Sequence, residues 1–155
     1  MIQSIVKVFL KNKSFRYVLV FIQFFVLAWL TLTYNFAEFK IWHWICPVIF
    51  LMFGFWSLLF MKISAITPLP DPTSGSLLIQ NGPYRCVRHP MYLSVAGYSL
   101  SLLMINFSIL NAVIVGLFFI AIFLKMEIEE VYLLNRYASY REYIKQTKRL
   151  IPFVY

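Results

Sequence analysis

Two nearly unbroken apolar runs, Phe15 to Tyr34 and Trp42 to Met61, constrain this chain more than any other feature in it. Each holds twenty residues, and twenty residues wound as a helix rise about 30 Å, the thickness of a hydrocarbon core. Two shorter runs follow, Met91 to Asn106 and Phe107 to Leu124, broken only by the polar pair Asn106 and Ser108. That pattern predicts a tight helical hairpin. With 61% of its 155 residues hydrophobic and 13% charged, the chain lies outside the composition of soluble domains. The expectation is an all-α, polytopic membrane protein forming a single domain over residues 1–155, with about four transmembrane helices near 15–34, 42–61, 91–106 and 107–124.

Charge predicts the orientation. Lys7, Lys11, Lys13 and Arg16 lead into the first run, and Lys40 alone lies between the first and second. Lys62, Arg85 and Arg88 lie between the second and third, and Lys125, Arg136, Arg141, Lys145, Lys148 and Arg149 follow the fourth. Thirteen of the 14 basic residues therefore fall on one side, which by the positive-inside rule makes both termini and the central loop cytoplasmic. Dispersed at span ends, these cations suit membrane lipid headgroups and topology, and form no basic stripe for nucleic acid. The first run exceeds the apolar stretch of a signal peptide, and "TLTYNFAEFK" offers no small-residue cleavage site, so it reads as a span. Cys46 in a span and Cys86 in the central loop suit neither a disulfide nor a metal site.

Three regions carry polar chemistry. The loop over 62–90 holds Pro68, Pro70, Pro72, Gly75, Gly82 and Pro83, which forbid a long helix. Its end, "NGPYRCVRHPMYL", places Arg88 and His89 at the mouth of the third span: Pro90 biases His89 away from the helical region, opens the helix itself, and leaves early backbone N–H groups for a polar ligand. Beyond the fourth span, residues 125–148 predict an amphipathic cytoplasmic helix, with Ile128, Val131, Leu134, Tyr137 and Ile144 along one stripe. Glu127, Glu129 and Glu130 stand where that span leaves the membrane, and carboxylates beside hydrocarbon call for compensation. Lys125, one turn before Glu129, can supply it, as can Arg85, Arg88 and His89 from the loop.

Together, "GPYRCVRHPMY" and "EEVYLLNRYASYREYIKQTKRLIP" resemble the integral-membrane methyltransferases that include isoprenylcysteine carboxyl methyltransferase and the phospholipid methyltransferases. The resemblance runs from roughly Ser76 to the end of the chain. It implies S-adenosyl-L-methionine as cofactor, bound at the cytosolic face, and methylation of a lipophilic acceptor, either an isoprenylcysteine-like carboxylate or a lipid amine, that arrives through the bilayer. Carried over, cofactor contacts fall on Ser76, Leu77, Leu78, Ile79, Tyr84, Arg88, His89, Pro90, Met91 and Tyr92, with Arg88 ordering the loop or pairing with a glutamate. The catalytic positions on the acceptor side are Lys125, Glu129 and a supporting Glu130. Lys125 stands where many relatives carry arginine, and a lysine cannot make the bidentate fork to a carboxylate. Tyr137 and Ala138 replace the family's Phe-Gly pair. Sterol reductases carry a similar Arg-His-Pro segment, which leaves an NADPH-dependent membrane reductase as an alternative, beside a non-enzymatic membrane scaffold.

Overall fold

The structure, a computed structural model, describes residues 13–34, 40–61 and 78–151. These residues are all-helical, with five α-helices and no strand. Helix α1 is Lys13–Leu32. A 3-10 turn, Ile41–Trp44, runs straight into α2, Ile45–Leu59. Pro47 sits in the first turn of α2, where its missing N–H breaks no helical hydrogen bond. A second 3-10 turn, Gly82–Arg85, precedes α3, Pro90–Ile105, and α4 is Ile109–Arg136. The chain then breaks and forms α5, Tyr140–Gln146.

Three helical stretches, Ser14–Leu32, Ile41–Leu59 and Ile109–Arg136, are long and apolar enough to cross a membrane. Helix α3 is apolar but shorter, at 16 residues. The α3–α4 connection is Asn106 to Ser108, and Ser108 caps α4 by accepting from the Asn111 N–H at 3.0 Å. Asn111 returns its side-chain amide to the Asn106 carbonyl at 2.9 Å, so the polar pair that interrupts the apolar pattern also ties the turn.

One expectation is corrected here. No separate helix spans 125–148: its first half continues α4, because Lys125, Met126, Glu127, Glu129, Glu130 and Leu133 are strong helix formers with no breaker among them. The break comes at Tyr137, whose backbone is extended at φ −118° and ψ 113°. Of the predicted stripe, Ile128 is buried, whereas Leu134 is exposed.

Helix α1 packs on α4 and α2 on α3, so the hairpin is flanked on both sides. A core of Val26, Leu30, Tyr98, Leu102, Val115, Phe118, Ile122 and Met126 joins α1, α3 and α4. Small residues bring α2 against α3: Gly97 lies under the Phe50 ring, and Ser94 donates to the Phe50 carbonyl at 2.6 Å. Facing outward are Phe21, Phe24, Met52, Phe55, Met104, Val113, Leu117 and Ile120, an apolar surface that suits lipid.

At the hairpin end, Trp29 Nε1 donates to Asn111 Oδ1 and Asn106 donates to the Thr33 carbonyl, fixing α1 to the turn. The chemistry-bearing residues all collect at the other end.

Candidate active site

The site begins with the eight residues before α3, Gly82 to His89. Gly82 takes a positive φ of 60° with the Phe60 ring beside its Cα, which starts the 3-10 turn Gly82–Arg85. The chain then runs past the C-terminal segment in a parallel bridge between Val87 and Lys148. Arg88 N–H donates to the Lys148 carbonyl at 2.8 Å, His89 N–H to the Arg149 carbonyl at 3.1 Å, and Lys148 N–H to the Cys86 carbonyl at 3.2 Å. Pro90 opens α3 as its first residue, and His89 sits outside the helical region at φ −122° and ψ 58°. Pro90 has no N–H to lose, and Met91 and Tyr92 direct first-turn N–H groups out of the helix end.

Glu130 is the hub. Its Oε1 lies 3.0 Å from Arg88 Nε and 3.3 Å from His89 Nε2, and its Oε2 accepts from Arg149 Nη2 at 2.7 Å. Arg149 also reaches Glu127. Arg88 uses Nη1 on the carbonyl oxygens of Thr147, at 2.6 Å, and Ile144, at 3.4 Å. One guanidinium therefore joins the loop, α4 and the chain after α5. Both oxygens of Glu130 are taken and its side chain is only 8% exposed, so it holds cations in place and has little capacity left for a ligand.

Glu129 differs. Its side chain is 31% exposed. One carboxylate oxygen stands 3.7 Å from His89 Nδ1, and the group lies close to the Tyr92 hydroxyl. Tyr84 also faces Glu129: burial first, and then that carboxylate, push its phenol well above the ordinary range. The Tyr84 carbonyl accepts from Tyr143 Oη. The Tyr92 ring is 5.5 Å from the His89 ring and lies 5.3 Å beneath Lys125 Nζ. Lys125, 2% exposed, donates to Gln23 Oε1 of α1.

The structure thus brings Tyr84, Arg88, His89, Tyr92, Lys125, Glu129 and Glu130 into one cluster. Pro90 is buried at its edge, Met91 is half-buried in the first turn of α3, and Leu78 and Ile79 are half-buried on the approach to the 3-10 turn. Ser76 and Leu77 lie outside the described residues.

Sequence reasoning passed over Arg149, Thr147, Tyr143 and Gln23. Gln23 carried a signal of its own, as the one amide within Tyr17 to Leu30. Arg149 and Thr147 carried none, since only the fold brings them to the glutamates.

By its fold and cluster the molecule is a bundle of apolar helices with a buried, charge-paired site at one end, the class of an integral-membrane protein with polar chemistry at its face. Residues 67–135 match the sequence model of the Isoprenylcysteine carboxyl methyltransferase (ICMT) family. The matched segment begins earlier than the resemblance quoted above and stops before α5 and Arg149. No curated protein and no solved structure matches the chain.

Proposed function

We propose that the protein is an S-adenosylmethionine-dependent methyltransferase acting on a lipophilic acceptor at the cytosolic membrane face. The observation that carries this reading is the meeting of Arg88, His89 and Tyr92 with Glu129 and Glu130, about forty residues further on, inside the segment that matches a methyltransferase family.

The donor set fits the cofactor. A sulfonium and an ammonium group favour aromatic faces and an available carboxylate, and Tyr84, Tyr92 and the partly open Glu129 supply them together. Tyr84, His89, Tyr92, Glu129 and the first-turn N–H groups of α3 would hold it, with Leu78 and Ile79 on the approach. When bound, S-adenosylmethionine supplies an electrophilic methyl group on sulfur.

The chain's own part is positioning. Methyl transfer needs the acceptor atom in line with the sulfur–methyl bond in a dry pocket, and little covalent help. Arg88 and Arg149 hold the Glu130 end rigid, which fixes Glu129 one residue away on the same helix. The buried Lys125 ammonium, braced by Gln23, would serve the acceptor side. A carboxylate acceptor is already a nucleophile. With an amine acceptor a proton must leave, and Glu129 is the carboxylate open enough to take it.

The test is calorimetric titration of the detergent-purified protein with S-adenosylhomocysteine and, separately, with NADPH. Saturable binding of the first alone is expected, and methyl-labelled S-adenosylmethionine should transfer label into a lipid extract. Binding of NADPH alone would move the chain to the reductases, and binding of neither would leave a scaffold.

A further inference from the structure

Tyr140 is 0% exposed, and its hydroxyl has no hydrogen-bond partner among the described residues. Its neighbour on α5, Tyr143, has its ring 5.8 Å away and spends its own hydroxyl on the Tyr84 carbonyl. Burial, and after it the nearby Glu130 carboxylate, push the Tyr140 phenol far above its ordinary value, with Arg88 pulling the other way and Glu129 adding to the rise. The phenol therefore stays protonated and can act as a hydrogen-bond donor. A donor sealed from water without an acceptor costs free energy, and native proteins keep few of them.

Among the described residues nothing accepts from it. Glu130, the carboxylate that acts on the phenol most strongly, already takes donors from Arg88, His89 and Arg149 on its two oxygens. The missing acceptor would then come from a ligand. The charges acting on the phenol are of both signs, Arg88 against Glu129 and Glu130. A mixed field of that kind suits a zwitterion and not an apolar nucleobase.

We propose that the Tyr140 hydroxyl is a binding contact for the amino-acid end of the cofactor, donating to its carboxylate while Glu129 faces its ammonium. This inference rests on the methyltransferase reading and adds α5, beyond the matched family segment, to the binding site.

The test compares wild-type full-length protein with Tyr140→Phe in detergent, measuring affinity for S-adenosylhomocysteine and for 5′-methylthioadenosine, which keeps the nucleoside and sulfur but lacks the amino-acid end. The thermal midpoint without ligand is recorded alongside. Tyr140→Phe should weaken S-adenosylhomocysteine roughly 10- to 100-fold, as loss of a hydrogen bond to a charged group does, and leave methylthioadenosine unchanged. The midpoint should hold or rise, because phenylalanine removes the unsatisfied donor. Unchanged affinity for S-adenosylhomocysteine, or equal weakening of both compounds, overturns the assignment. So does a lowered midpoint or failure to fold, since the hydroxyl would then have a structural partner such as a buried water. If wild-type protein binds neither compound, the methyltransferase reading itself has failed, a different result from a wild type that binds and a variant that binds equally well.

Discussion

Glu129 and Glu130 are adjacent in the chain yet meet different surroundings, because successive helical residues point about 100° apart. Glu130 turns into the cluster and is enclosed by Arg88, His89 and Arg149, while Glu129 turns toward Tyr92 and partial exposure. Glu130→Gln removes the negative charge but keeps the shape, leaving the Arg88 guanidinium without its counter-charge and Arg149 with Glu127 alone. Breaking a buried pair from one side costs roughly 3 to 5 kcal/mol, so thermal denaturation in detergent should show a large loss of stability. Glu129→Gln should leave the midpoint nearly unchanged while turnover falls roughly 100-fold, the effect of removing one group aimed at developing charge. Equal destabilisation by the two changes would contradict the division of labour. The pairing of arginine with glutamate was legible in the sequence because each residue is locally unusual: a cation beside Pro90, and acids at the end of an apolar run. Which glutamate is enclosed was not, since that depends on Arg149 arriving from beyond α5.

At the scale of elements, the chain after α5 works as a clamp. Its backbone pairs with 86–89, its carbonyl groups hold Arg88, and its Arg149 holds Glu127 and Glu130. None of these contacts builds a helix. Ending the chain after Gln146 should therefore leave far-UV helicity nearly intact yet abolish binding of S-adenosylhomocysteine; retained affinity would show that the clamp is dispensable. The α3–α4 turn carries a milder prediction: Ser108→Ala removes the α4 cap and should cost about 1 kcal/mol in a chemical denaturation series. The apolar runs were legible because a bilayer-length pattern leaves few alternatives, and the hairpin because Asn106 and Ser108 together break the apolar pattern between its two arms. The division of 125–148 was not. The periodicity of Ile128, Val131 and Leu134 continues α4 without changing its phase, and only the backbone at Tyr137 marks the break.

For the whole molecule, the placement at one end of every ion pair among the described residues gives the membrane orientation a direct consequence. The proposed cofactor is polar and cannot cross hydrocarbon, so the cluster must open to the compartment that holds it, and the basic excess around the central loop and the chain's end argues that this is the cytoplasm. The two cysteines report on this without new labels. Both are exposed: Cys86 lies beside the Arg88 cluster, and Cys46 lies in the first turn of α2, at the opposite end of that helix from the loop. With Cys46→Ser in place, a membrane-impermeant maleimide should label Cys86 in inside-out vesicles and spare it in right-side-out ones. With Cys86→Ser, labelling of the remaining Cys46 should show no such preference for inside-out vesicles. The converse result, Cys86 reacting only from outside, would invert the molecule. The same positive charge would then lie on the outer face against the topological bias, and the polar site would open away from the cytosolic cofactor, so the experiment tests orientation and the methyltransferase reading through one residue.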